Sequence, residues 1–137
     1  MANPRKTVAY DEIDSLNVTM KYDNSITYDK AKPGGSDAAG RAVSLAGSTS
    51  DDVVTLADDG AVIHGKLISV DGDGFCVVQR RGYTTLPGGN GATLTLGAKI
   101  VGALNASSAK GFIKALTETV SGSPTQAEVQ NAFKAAK

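Results

Sequence analysis

Leu16, Val18, Met20 and Tyr22 alternate with Asn17, Thr19, Lys21 and Asp23. A period of two places one set on one face of a β-strand and the other set on the opposite face. The polar triplet Asp23-Asn24-Ser25 then reads as a hairpin loop, and Ile26-Thr27-Tyr28 as the start of a returning strand. Such a hairpin either covers its own domain or lies as an arm across a neighbouring subunit. Further along, 41–45 (RAVSL), 51–57 (DDVVTLA), 61–70 (AVIHGKLISV) and 75–81 (FCVVQRR) read as strands. They are separated by turn signals at Asp58-Asp59-Gly60 and Asp71-Gly72-Asp73-Gly74. Gly65, inside the third of these strands, marks a bulge or a close backbone approach. After Gly82, the strand resumes at Tyr83–Leu86, and Pro87-Gly88-Gly89-Asn90-Gly91 is a further turn. Leu94, Leu96, Ala98 and Ile100 alternate with Thr93, Thr95, Gly97 and Lys99, which predicts one buried and one wet face.

The pattern changes at the C-terminus. Val129, Ala132, Phe133 and Ala136 recur at helical spacing behind Ser123-Pro124-Thr125-Gln126, a capping-box signature. Lys134 and Lys137 fall where the helix dipole favours positive charge. A helix of about 13 residues is marginal alone in water, so its Phe133 stripe needs a surface to dock on. The chain thus divides into an N-terminal arm or hairpin (1–30), a linker (31–40, AKPGGSDAAG), a β-rich body (41–117) and a helical tail (118–137). The expected fold is mainly β: a small barrel or sandwich with an N-terminal β arm and a short C-terminal helix.

Composition supports this class. Of 16 glycines, 15 lie between Gly34 and Gly111, and aromatics make up only 5% of a chain without tryptophan, which argues against a helix bundle. A chain of 137 residues fits one domain and buries enough surface to fold without metal or disulfide. Fourteen basic residues balance fourteen acidic ones, so there is no global pull towards nucleic acid or an anionic membrane. No apolar run approaches a membrane span, and no secretory signal pattern is expected at the start. A single cysteine cannot form an internal disulfide.

The chemical candidates are few. His64 is the only histidine, without the spacing of a triad or zinc site, and reads as a strand histidine. Cys76 sits between Phe75 and Val77 and reads as a small core hydrophobe; a nucleophile would need a base or cation beside it. The Asp-Gly pairs lack the further oxygens of a calcium loop and read as turns. The glycines at 88, 89 and 91 lack the following Lys-Ser or Lys-Thr of a phosphate loop, and Gly72 and Gly74 lack the third glycine of a dinucleotide fingerprint. Arg80, Arg81 and Tyr83 form a compact basic and aromatic cluster. Such a cluster reads first as a solvated strand end and otherwise as a protein interface, and it falls short of the wide cationic stripe that nucleic acid requires.

The order of motifs carries a resemblance. Gly40-Arg41-Ala42-Val43-Ser44-Leu45 is followed by Val54–Gly60 (VTLADDG), Ile63-His64-Gly65-Lys66-Leu67, Val77–Gly82 (VVQRRG) and Thr93–Gly102 (TLTLGAKIVG). This series, nearly half the chain, resembles the small β-barrel decoration (cement) proteins of tailed-bacteriophage capsids. The resemblance implies a structural virion protein that binds the capsid exterior and stabilises it, typically as a homotrimer near three-fold positions. Its partners would be the major capsid protein and itself, with no enzyme activity, cofactor, metal, small-molecule substrate or membrane, and with nucleic acid disfavoured. It would be made in the bacterial host cytoplasm and act on the capsid exterior. The expected contact residues are Leu16, Val18, Met20, Tyr22, Ile26 and Tyr28 of the arm, Arg80, Arg81 and Tyr83 of the body, and Val129 and Phe133 of the tail. A strand from Leu16 to Tyr22 reaches about 23 Å, enough to add to a neighbour's open edge, and many identical copies supply avidity. The competing readings are a nucleic-acid-binding barrel centred on Arg80, Arg81 and Tyr83, a hydrolase using His64 or Cys76, and another virion part such as a head-completion or tail protein.

Overall fold

The computed structural model describes residues 15–46, 52–117 and 126–136. Its centre is a closed five-stranded barrel built from β1 (Leu16–Tyr22), β2 (Ala42–Leu45), β3 (Val53–Leu56), β4 (Gly65–Val70) and β5 (Phe75–Arg81), in the order β1-β3-β2-β4-β5. A separate two-stranded hairpin, β6 (Ile100–Ala103) and β7 (Phe112–Ala115), and one helix, α1 (Gln126–Ala136), complete the described elements. The protein is therefore mainly β, as its alternating pattern and glycine-rich turns predict.

The N-terminal strand closes the barrel. β1 pairs antiparallel with β5, with Met20 opposite Cys76, and parallel with β3, with Lys21 opposite Val53. Both of its edges are used, so Leu16–Tyr22 is a stave of this chain's own barrel and not an arm reaching to another subunit. For the same reason, Ile26–Tyr28 finds no edge of β1 to return along, and the expected hairpin does not form. Asp23 instead caps a tight turn, accepting hydrogen bonds from the Ser25 backbone (2.9 Å) and hydroxyl (2.5 Å), and Ile26, 2% exposed, seals the barrel core.

The interior follows the predicted parity. Met20 from β1, Val43 from β2, Val54 and Leu56 from β3, Leu67 and Val70 from β4 and Cys76 and Val78 from β5 form one core, with Val18, Tyr22 and Leu45 packed against it. Gly65 explains itself here: a Cβ at that position would lie 2.5 Å from the Gln79 carbonyl oxygen and 2.6 Å from Val78, so a side chain would push β4 off β5.

The stretch 31–40 is not a spacer. Pro33–Gly35 forms a single 3-10 turn, and Ser36 and Ala38 are buried. The Ser36 hydroxyl donates to the Thr27 carbonyl (2.7 Å) and accepts from the Ala38 N–H (3.1 Å), while Gly40 N–H donates to the Leu67 carbonyl (2.7 Å). A polar, glycine-rich sequence reads as linker, but here its small residues allow the backbone to lie directly on the barrel.

The hairpin covers a second, smaller core. Ala42 and Ala57, on the outer face of β2 and just beyond β3, are fully buried beneath Ile113, with Ile63 and Leu86 at the margin. Gly102 touches the Asp58–Ala61 turn: its N–H donates to the Ala61 carbonyl (2.8 Å), and its carbonyl accepts from Gly60 (2.9 Å). Lys110 and Lys114 pair with Asp58 and Asp59 on the same turn. The outer edge of β7 meets the chain at Pro87–Gly89.

Two expected strands are absent. Tyr83–Leu86 is irregular, and the alternation from Thr93 to Lys99 forms no strand, leaving Leu94 and Leu96 exposed. Alternation makes a segment eligible for a sheet, but only a paired edge makes it a strand. The capping-box residues 123–125 lie outside the described residues; α1 itself occupies the expected place, with Lys134 in its last turn.

Candidate functional site

The expected contact residues separate into those the barrel uses and those left on the surface. Met20 (7% exposed) and Ile26 lie in the core, which leaves their side chains no free surface, and the partly buried Val18 and Tyr22 pack against it. The Tyr22 hydroxyl is tied to the Asp71 carbonyl at 2.8 Å. Tyr28 keeps an exposed edge, but its ring lies against the positions that Cβ atoms of Gly35 and Gly72 would occupy. Leu16 is exposed at the start of β1, opposite Arg81. In α1, Val129 is half-buried and Phe133 is 70% exposed.

The exposed candidates sit in two regions. The first is a groove of about 170 Å³ at one end of the β4–β5 ribbon, bordered by His64, Lys66, Arg80, Arg81, Gln79 and Thr84. The Asp71–Gly74 turn joins β4 to β5 with Asp73 accepting from the Phe75 N–H (3.1 Å), and a bulge between Leu67 and Ser69 shifts the register so that Lys66 lies opposite Gln79. Lys66 and His64 therefore come beside the Arg80-Arg81 pair. His64 is anchored by its own N–H donating to the Val43 carbonyl (2.8 Å). Burial, and then the charge of Arg80, holds its imidazole below the usual histidine pKa. Tyr83, 74% exposed, stands two residues beyond Arg81.

Lys66 and His64 were not among the expected contact residues. The Asp-Gly turn alone did not locate them, because its register would set Lys66 opposite Arg80 and the bulge between Leu67 and Ser69 moves it to Gln79. Cys76 is elsewhere. It pairs with Val70 at the opposite end of the ribbon, fully buried, with burial pushing its thiol up to about 11. The fold does not bring His64 and Cys76 together, and the buried thiol has the opposite of a nucleophile's environment.

The second region is apolar. Val62, Ile63, Ile100, Val101 and Leu116 border a cleft of about 390 Å³ that Ala135 of α1 also reaches. Val62 and Ile100 are exposed, and Leu96, on the loop leading to β6, is completely so. Leu94, Leu96 and Ile100 were expected to face a core; the missing strand leaves Leu94 and Leu96 to solvent, and Ile100 is exposed at the start of β6. Among the described residues, no three His, Cys, Asp or Glu side chains gather as a metal-binding set, and no helix is long and apolar enough to cross a membrane.

No family model, curated protein or solved structure matches this chain.

Proposed function

We propose that this protein is a structural component of a tailed-phage virion that binds the outside of the capsid and stabilises it, acting as a homotrimer on the major capsid protein. The motif series from Gly40 to Gly102 gives the reading its identity. The observation that carries it is the apolar surface the chain leaves uncovered. Val62 and Ile100 border one cleft, Leu96 projects bare from the adjoining loop, and Phe133 is exposed on a helix too short to be stable by itself. Large apolar side chains left exposed, with two of them bordering a cleft, suit the docking of another protein. On a shell with many identical sites, modest single contacts add through effective concentration, so a small domain can hold a large assembly together.

The test joins solution mass to capsid attachment. Purified protein is sized by light scattering, then mixed with shells that lack it, and binding is read by co-sedimentation and imaging. The expected result is regular decoration that is lost in Leu96→Asp and Phe133→Asp, both of which alter exposed side chains and leave the melting temperature unchanged. No attachment by the wild-type chain refutes the capsid reading; attachment untouched by either substitution refutes the role of these surfaces. Removal of residues 1–30 is not a valid test of an arm, because it takes β1 out of the barrel.

A further inference from the structure

The groove at the end of the β4–β5 ribbon, which holds the expected contact residues Arg80 and Arg81, has a chemistry distinct from the apolar surface that carries the capsid reading. Three of its bordering side chains, His64, Lys66 and Arg80, come from two paired strands and the residue before them, and Arg81, which also interacts elsewhere in the chain, forms part of the wall. Among the described residues, no carboxylate borders it. The acidic residues Asp37, Asp52, Asp58 and Asp59 are paired with lysines away from the groove, with Lys32, Lys21, Lys110 and Lys114 respectively. A concave site bordered by several cations concentrates positive potential. The same field acts on His64, whose proton Arg80 repels.

We propose that this groove is a receptor for the carboxylates of an acidic protein segment, with Arg80 and Lys66 binding them. Arg80 offers a planar fork that matches a carboxylate, and Lys66 adds a mobile charge beside it. The remaining border is apolar or backbone at Ile63, Leu86, Gly65 and Gly82 and uncharged polar at Gln79 and Thr84, which suits a peptide with side chains between its acids. A nucleic-acid strand would need the cations to continue. Among the described residues, Phe75–Gln79 of β5 carries no charge, and Tyr83 is the one exposed aromatic side chain close in sequence to the cluster. The proposal holds whichever protein carries the acids and does not depend on the capsid reading.

Binding an anion beside His64 favours its protonated form, so the only histidine in the chain reports on the groove. Among the described residues, the charged groups that line the groove with it are Lys66, Arg80 and Arg81, all cationic. The experiment follows the His64 Hε1 resonance of the full chain through pH titrations with acetylated hexa-aspartate, with a hexathymidylate oligonucleotide and with inorganic phosphate. The expected result is that hexa-aspartate shifts the resonance and raises the titration midpoint, with affinity falling as salt rises from about 20 to about 200 mM. Arg80→Gln and Lys66→Gln should each weaken that binding about tenfold, the scale of a lost charged hydrogen bond. Arg80 is exposed, so circular dichroism and melting of Arg80→Gln should match wild type. Tighter binding of the oligonucleotide than of the peptide at equal salt overturns the assignment to protein. A response to phosphate without one to the peptide, no response to any probe, or peptide binding unchanged in Arg80→Gln overturns the receptor itself.

Discussion

Replacing Gly102 with alanine tests how the β6–β7 hairpin is held on the barrel. A Cβ at this position would lie 2.1 Å from the Asp58 carbonyl oxygen and 3.1 Å from the Ala57 side chain, where ordinary contact begins at 3.4 Å. The obstacle is backbone, so it does not swing aside; the hairpin and the 58–61 turn must separate by well over an ångström. That separation breaks the two hydrogen bonds between Gly102 and this turn. Two net hydrogen bonds at about 0.5–1.5 kcal/mol each, with about 1–3 kcal/mol for overpacking, give a loss of about 3 kcal/mol. For a chain of this size, that lowers the melting temperature by about 10–15 °C. Two comparison substitutions isolate the cause. Gly88→Ala meets nothing within 4 Å and is expected to be neutral within about 0.5 kcal/mol. Gly91→Ala also meets nothing, but its φ of +65° makes the side chain cost about 1 kcal/mol in backbone strain alone. The assay is thermal and urea unfolding followed by circular dichroism on all three variants. If Gly102→Ala melts with Gly88→Ala, the close approach is not what holds the hairpin, and the reasoning fails.

Other perturbations follow from the same packing. Leu67→Ala removes a fully buried side chain from the centre of the barrel and should cost about 3 kcal/mol, read as a lower urea midpoint with unchanged slope. Ser36→Ala leaves the Thr27 carbonyl and the Ala38 N–H without their partner and should cost about 1–2 kcal/mol in the same measurement. The Cys76 thiol, buried and raised to about 11, should resist a thiol reagent at pH 8 in the native protein and react fully in denaturant; fast native labelling would contradict the closed barrel. Folding lowers the pKa of His64, so its contribution to stability is complete above the unfolded value of about 6.5 and declines as pH falls through it to the folded pKa. Wild type should therefore lose stability from about pH 7 to pH 5 relative to His64→Gln, and parallel curves for the two would refute the assigned shift.

The legible parts of the fold were those where one strand decides its own faces. The parity of Leu16–Tyr22 is visible because a half-buried strand writes its orientation into every second residue, and Met20 does face the core. Which edge that strand occupies is a long-range matter. Nothing in residues 16–22 says that they pair with 75–81, so a barrel stave reads equally well as an arm. The segment 31–40 misled for a different reason. Its burial uses Ser36 and Ala38, small side chains without hydrophobic contrast, and is secured by main-chain hydrogen bonds that composition does not register. Leu94 and Leu96 show the reverse error: apolar alternation without a partner edge leaves leucines in water. At the groove, Arg80 and Arg81 were visible as adjacent charges, whereas Lys66 and His64 join them only through the hairpin register.

The pairing of β1 with β5 also sets an order of events during synthesis. Tyr22 leaves the ribosome well before Arg81, and at about 5–20 residues per second the interval is roughly 3–12 s. Throughout it, the first strand is made but the partner that seals it does not exist, and β3 offers it only a short parallel contact. The nascent chain must therefore carry an open, apolar ribbon that another nascent copy on the same message could capture. The stretch 23–40 that follows β1 waits as well, because Gly35 lies on Val70 and Gly40 bonds the Leu67 carbonyl, so the wall stays unfinished until β4 and β5 have both emerged.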